Sequence, residues 1–285
     1  MSQIDWPEGL DKLFVDRIID VAIAEDLGRG DLTSQAVIPP GTRFTGVIAA
    51  REEMVCAGLP VAGRLFERFS PDIGWQPQVG DGDKVPAGTV LAKLEGPAVK
   101  LLSAERTAIN MLQHLSGIAT LTRTYVDAIA DTDVTLLDTR KTIPGHRQLA
   151  KYATRMGGAT NHRMCLDDGV LIKDNHIAVS GSITEAVSRA KEEDLSNIEV
   201  ECDTLEQVVE ALAAGADMIL LDNMDRETQT KATAIVGGKV PTEASGDVNL
   251  ETIRAIAATG VTYISVGRLT HSAKAANIGL DWDTA

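Results

Sequence analysis

The chain has 285 residues, 44 % of them hydrophobic and 24 % charged, a balance that allows a sizeable core and excludes a disordered chain. A formal charge of −14 excludes a nucleic-acid or anionic-membrane partner held by bulk electrostatics. Three scattered cysteines, Cys56, Cys165 and Cys202, form neither a disulfide framework nor a CxxC zinc pair.

The start, MSQIDWPEGLDK, lacks the pattern of a signal peptide. No run approaches the roughly 20 apolar residues of a membrane span. A reducing, cytoplasmic location is expected. Residues 1–115 read as mixed α and β. Apolar spacing predicts a helix at LDKLFVDRIIDVAIAEDL, strands in GTRFTGVIAAREEMVCAG, and short β segments between the glycine turns of VGDGDKVPAGTVLAKLEGPAVKLL. A long helical pattern follows in SAERTAINMLQHLSGIATLTRTYVDAIA, with Ser103 as its N-cap.

From there the chain alternates. Apolar runs end at Asp138, Lys173, Glu201, Asp222, Gly246 and Gly267, and helical patterns fill 147–156, 182–194, 204–214, 226–236 and 249–258. Near-continuous apolar strands joined by helices imply buried parallel strands with crossover connections, which a barrel and a doubly wound sheet both fit. No GxGxxG follows the first strand, which disfavours a dinucleotide-binding unit. The expected organisation is an α/β chain with a first domain over 1–115 and a (β/α) barrel over 116–273. The tail, 274–285, is expected to pack back on the first domain.

In such a barrel the carboxyl ends of the strands form the functional face. Those ends carry both signs of charge. Between Asp138 and His176 lie seven Lys or Arg against four Asp, so this stretch is basic inside an acidic chain. Lys151 and Arg155, one turn apart, read as a solvated helix face. Arg140, Lys141, Arg163 and Lys173 sit at strand ends or in loops and read as an anion site, since Arg offers bidentate and Lys point-charge recognition. Glu201 and Asp222 end successive strands. They suit Mg²⁺, which binds through one or two carboxylates and substrate oxygens; the competing reading is a salt bridge to Lys173 or Lys141. Asp138 and Asp174 read as partners that orient Lys or His. The SGD (245–247) and VGR (266–268) turns suit phosphate binding by backbone N–H groups. These residues alone point to a magnesium-assisted enzyme acting on a phosphate-bearing polyanion, with arginines left over for a carboxylate-bearing second substrate.

The stretches AEDLGRGDLTS, SAERTAINMLQHLSGIAT, DTRKTIPGHRQLAKYA, GGATNHR, LIKDNHI, LLDN, EASGDVN and YISVGRLTHS occur in this order from about residue 24 to 273. Together they resemble the quinolinate phosphoribosyltransferases, also called carboxylating nicotinate-nucleotide pyrophosphorylases. The resemblance implies an N-terminal α/β sandwich, an open and irregular (β/α) barrel of the type II phosphoribosyltransferases, and a homodimer. It implies transfer of phosphoribosyl from phosphoribosyl pyrophosphate to quinolinate, with loss of CO₂, in NAD biosynthesis.

By the same resemblance Arg106, Thr139, Arg140, His162, Arg163 and Lys173 contact quinolinate. Arg106 comes from the partner subunit, although the sequence by itself reads it as a surface helix residue. Lys141, Glu201 and Asp222 are the catalytic groups, and Glu201 and Asp222 hold Mg²⁺. Lys141, Lys173, Asn223, Ser245, Gly246, Asp247, Val266, Gly267 and Arg268 serve phosphoribosyl pyrophosphate. Three positions depart from the family pattern: His146 stands for a leucine, Ala159 for a glycine, and Asp247 for Gly or Asn. Asp247 is expected to turn its charge away from phosphate. A relative acting on another acceptor would lose some of Arg106, Arg140 and Arg163. A non-catalytic relative would lose Lys141, Glu201 or Asp222. All six are present.

Overall fold

The computed structural model describes residues 6–282. In chain order the elements are α1 (Lys12–Leu27), α2 (Leu32–Val37), β1 (Arg43–Ala50), β2 (Met54–Val55), α3 (Leu59–Phe69), β3 (Gly74–Pro77), β4 (Lys84–Val85), β5 (Val90–Pro97) and α4 (Ala98–Ala128). Then come β6 (Thr135–Leu137), α5 (Arg147–Met156), β7 (Val170–Ile172), α6 (Asp174–Ser180), α7 (Ile183–Glu192), β8 (Ile198–Cys202), α8 (Leu205–Ala214) and β9 (Met218–Asp222). The chain closes with α9 (Arg226–Val236), β10 (Thr242–Ser245), α10 (Ile253–Ala257), β11 (Tyr263–Ser265), α11 (Arg268–His271) and β12 (Ile278–Trp282). No described helix is long and apolar enough to cross a membrane.

Two compact units result. The first takes the described residues up to Arg123, Thr142–Gly158, and those from Leu269 onward; the second takes Thr124–Lys141 and Ala159–Arg268.

In the first unit an antiparallel sheet has the order β12-β1-β5-β3. Its core joins Ile48, Ala92 and Leu94 of the sheet to Val15 and Ile19 of α1, Leu65 and Phe66 of α3, and Leu101, Leu112 and Leu115 of α4. Helix starts show why the chain folds locally as it does. Asp11 accepts from Leu13 N–H at 2.8 Å and caps α1. The N-cap of α3 is Gly58, which has no side chain, and Asp81 serves instead, accepting from Gly58 N–H at 2.7 Å and Leu59 N–H at 3.1 Å. Burial pushes the Asp81 carboxyl up, and the Tyr152 hydroxyl, donating to it at 2.6 Å, offsets part of that cost.

One capping expectation fails. The long helix begins at Ala98, so Ser103 lies inside it. Its hydroxyl donates back to Val99 O at 2.7 Å and contacts Asp31 at 2.9 Å. A serine can bond to the carbonyl one turn behind as well as to an N-terminal amide, so its presence alone does not mark a helix start. The expected helix over 249–258 is likewise shorter. The Asn249 side chain accepts from Glu251 N–H at 2.9 Å and Thr252 N–H at 3.1 Å, which makes 249–252 a turn before α10.

The second unit holds a parallel sheet in the order β6-β11-β10-β9-β8-β7. Thr160 forms a single parallel bridge to Leu137 beyond β6. The sheet's edges are therefore the Thr160 segment and β7, and the barrel is open between them. Strand residues alternate. Leu136, Ile172, Val200, Leu221, Ala244 and Ile264 are buried. Their neighbours Leu171, Glu201, Leu220, Asp222, Glu243, Ser245 and Ser265 line an interior cavity, as the two-residue period requires.

The tail offers a stability test. In α4, Gln113 O accepts from Ala276 N–H at 2.9 Å, and Gln113 Nε2 donates to Ile278 O at 3.1 Å. A Cβ on Gly117 would collide with the Lys274 carbonyl. Gly→Ala in a helix ordinarily stabilises by about 1 kcal/mol. Gly117→Ala should instead destabilise by about 1–3 kcal/mol, as overpacking does. Chemical denaturation will give the sign, and limited proteolysis should show earlier loss of the tail.

Candidate active site

The alternation just described brings most of the expected residues into one cavity of about 320 Å³. Thr139, Arg140, Lys141, His162, Arg163, Lys173, Glu201, Asp222, Asn223, Ser245, Gly246 and Asp247 all line it. Val266, Gly267 and Arg268 are not among its lining residues; they follow Ser265, which is. Arg106 belongs to the first unit, where it is exposed on α4.

The cations are placed by strand ends. Arg140 and Lys141 leave β6, and Lys141 N–H bonds Thr139 Oγ1 at 3.0 Å, turning the chain across the mouth. Lys173 follows β7 and pairs with Glu201 at the end of β8. That ion pair is the salt bridge offered above as the competing reading of Glu201. Arg163 donates to Gly169 O at 3.1 Å. Burial first, and then the charge of Arg140, hold the Arg163 guanidinium below its usual value. Two guanidinium groups thus repel across one pocket, and an anion between them removes the repulsion.

On the opposite wall, the turns after β9 and β10 interlock. Asn223 N–H donates to Ser245 O at 3.0 Å, one step beyond the last strand pair. Asn223 and Asp247 both adopt left-handed backbone, with φ of 53° and 45°, a conformation that short polar side chains tolerate. Gly246 has φ 95°, and a Cβ there would collide with Asn223 Oδ1. The Asp222 carboxylate accepts from Asn223 Nδ2 at 2.6 Å.

Three buried carboxylates support the mouth from below. Asp138 Oδ1 accepts from His162 N–H at 2.9 Å, and Oδ2 from Asn161 Nδ2 at 2.6 Å, the orienting role the sequence suggested for it. Glu199 and Glu243 were not anticipated. Their oxygens lie 3.2 Å and 3.4 Å from His162 Nε2, and the residues are 2 % and 1 % exposed. A signal existed: Glu199 and Glu201 alternate in the apolar run IEVE, and Glu243 precedes Ser245 by two. Burial pushes the Glu199 carboxyl up, the His162 hydrogen bond pulls it back, and the charge of Glu243 adds to the rise. Burial alone would lower His162, but hydrogen bonds to Glu199 and Glu243 outweigh it and push it up to about 9. That value belongs to the three groups together: Arg163 N–H takes the Nδ1 lone pair, so the ring keeps only its Nε2 proton, and the further proton lies between Glu199 and Glu243, whose mutual hydrogen bond raises Glu199.

The cysteines offer no nucleophile in this cavity. Cys202 is buried and its thiol is pushed up to about 12 by burial and nearby carboxylates.

Fold and cavity together define an α/β-barrel protein whose strand ends gather Arg140, Lys141, Arg163 and Lys173 with Glu201 and Asp222 around one cavity. The sequence narrows this further. Residues 31–116 match the N-terminal domain, and residues 118–281 the C-terminal domain, of quinolinate phosphoribosyl transferase. A probable carboxylating nicotinate-nucleotide pyrophosphorylase of Bacillus subtilis is 43 % identical over 274 residues, 95 % of this chain and 94 % of that protein. The Mycobacterium leprae protein of the same activity is 43 % identical, covering 91 % and 94 %. The solved nicotinate-nucleotide pyrophosphorylase of Francisella tularensis superposes with a TM-score of 0.93 at 39 % identity, covering 99 % of this chain and all of that one. The chain belongs to the quinolinate phosphoribosyltransferase family.

The Gly246–Asn223 contact gives a local test. Gly246→Ala should push Asn223 out of place and cut kcat/KM by about 10²-fold, in line with small displacements at a reacting centre. Its unfolding midpoint should stay within a few degrees of wild type. Steady-state kinetics beside a thermal melt separate the two effects.

Proposed function

We propose that this protein transfers the phosphoribosyl group of phosphoribosyl pyrophosphate to the ring nitrogen of quinolinate, releasing pyrophosphate and CO₂ and forming nicotinate mononucleotide. The observation that carries this reading is the opposed pair Arg140 and Arg163 in one cavity with Lys173. Such a pocket suits a planar dianion, and quinolinate carries two carboxylates on adjacent ring carbons.

The cavity divides naturally. Arg140, His162, Arg163 and Thr139 receive quinolinate, and Lys173 reaches both substrates. Asn223, Ser245, Gly246 and Asp247 meet phosphoribosyl pyrophosphate with Lys141, and the following Val266–Arg268 segment extends that side. The donor set fits Mg²⁺: Glu201 and Asp222 offer hard oxygen ligands at one cavity wall. When bound, the metal neutralises charge on the pyrophosphate. Lys141 and Lys173 add to that neutralisation. As the C1–O bond breaks, positive charge grows on the ribose, and the carboxylates of Glu201 and Asp222 are the groups placed to stabilise it. The new C1–N bond leaves the pyridine nitrogen cationic. The adjacent C2–carboxylate bond then breaks with its electron pair on C2, CO₂ leaves, and C2 takes a proton. The protein's share is placement and charge.

The assembly we propose is a cytoplasmic homodimer, with the exposed Arg106 entering the partner's site. Mixing Arg106→Ala and Lys173→Ala proteins should then restore about a quarter of wild-type activity, since half the dimers carry one intact site of two. Separate inactive proteins that stay inactive when mixed would contradict the shared site.

The direct test is a paired assay with quinolinate, phosphoribosyl pyrophosphate and Mg²⁺. Nicotinate mononucleotide and CO₂ should appear in equal amounts, with no product from nicotinate as acceptor. Chelation should abolish turnover. Asp222→Asn should raise the Mg²⁺ needed for half-maximal rate about tenfold, by loss of one anionic ligand.

A further inference from the structure

We propose that Glu199, Glu243 and Asp138 are positioning residues that lock the His162–Arg163 dipeptide in the cavity and fix His162 as its neutral Nε2–H tautomer. This rests on the reading above, in which that dipeptide receives the carboxylates of quinolinate.

The lock closes from three strands. Asp138, at the end of β6 and wholly buried, accepts from the His162 backbone N–H at 2.9 Å and from Asn161 at 2.6 Å. From β8 and β10, Glu199 and Glu243 face His162 Nε2 at 3.2 Å and 3.4 Å. On the other side of the ring, Arg163 N–H donates to Nδ1 at 2.7 Å. The backbone of the arginine is thus tied to the ring of the histidine before it. Arg163 Nη1 donates to Gly169 O at 3.1 Å, which anchors the far end of the guanidinium. Each constraint acts on a residue proposed to touch substrate, and none of the three carboxylates needs to touch it.

The same donor geometry decides against a second use of this cluster. A histidine and two glutamates whose donor atoms all lie within 4.8 Å could hold a cation. Yet a neutral imidazole has one lone pair, and Arg163 N–H occupies the one on Nδ1. Nε2 therefore carries the proton and directs it at the carboxylates; it has no lone pair for a metal. Glu199 Oε2, at 3.2 Å, is the nearer acceptor for that proton; Glu243 Oε2, at 3.4 Å, faces Nε2 by charge without a hydrogen bond.

Long-range ¹H–¹⁵N correlation of the substrate-free protein tests the tautomer, with the His162 signals assigned by their loss in His162→Asn. The expected pattern at neutral pH is a protonated Nε2 and an unprotonated Nδ1. In kinetics, Glu199→Gln and Glu243→Gln should each raise the KM for quinolinate about tenfold and leave the KM for phosphoribosyl pyrophosphate within twofold. A protonated Nδ1, as the Nδ1–H tautomer or as a doubly protonated ring, would overturn the proposal, as would equal rises in both KM values. Displacement of the His162 Nε2 signal by stoichiometric Zn²⁺ or Mn²⁺ would overturn it in favour of a metal site. If the wild type failed to use quinolinate at all, the functional reading would fall. The tautomer measurement, which needs no substrate, would still decide the clamp.

Discussion

A buried parallel strand presents alternate residues to two different surroundings, and the second unit depends on that constraint. One set, including Ile172, Val200, Leu221 and Ile264, is buried and apolar. The other set faces the barrel interior, where Glu201, Asp222, Glu243 and Ser245 share a cavity. Six short strands can therefore be apolar enough to fold and still deliver a concentrated polar cup at one end. The chain's overall negative charge does not matter there, because the strand ends collect the local cations Arg140, Lys141, Arg163 and Lys173.

The cup is not simply basic. Lys173 is paired with Glu201, and His162 is held above Glu199 and Glu243. Arg140 and Arg163 repel each other. Cations and carboxylates thus share one cavity. A dianionic aromatic acid and a pyrophosphate ester can both be drawn in, while the carboxylates stay available for charge that develops only during the reaction. This is preorganisation: the groups are placed before substrate arrives, so little reorganisation is needed at the reacting step.

Much of this was legible in the sequence, and the exceptions have physical reasons. Each of the six apolar runs became a strand, since length and flanking polar residues marked them. Lys173, Glu201 and Asp222 were visible as strand-end charges. Glu199 and Glu243 were missed although they alternate with Glu201 and Ser245, because a near-continuous apolar strand does not by itself announce which of its residues face inward. Lys151, expected on a solvated helix face, is wholly buried, and two short polar side chains misled about helix ends. Ser103 resembles a cap but bonds to Val99 O within the helix, and Asn249 diverts the backbone into a turn where helical spacing continues. In both, a short polar side chain competes for backbone partners in a way that spacing cannot resolve. Gly246 shows the opposite case. The need for glycine comes from Asn223, distant in sequence and close in space.

The central claim is that the barrel mouth is built for two adjacent carboxylates on one ring. Calorimetric titration of the intact protein with quinolinate, and separately with nicotinate, tests it most directly. The account predicts quinolinate binding at least about tenfold tighter, with an affinity that falls as salt rises, because two guanidinium groups are each relieved by a carboxylate. Equal affinities, or tighter binding of nicotinate, would contradict it.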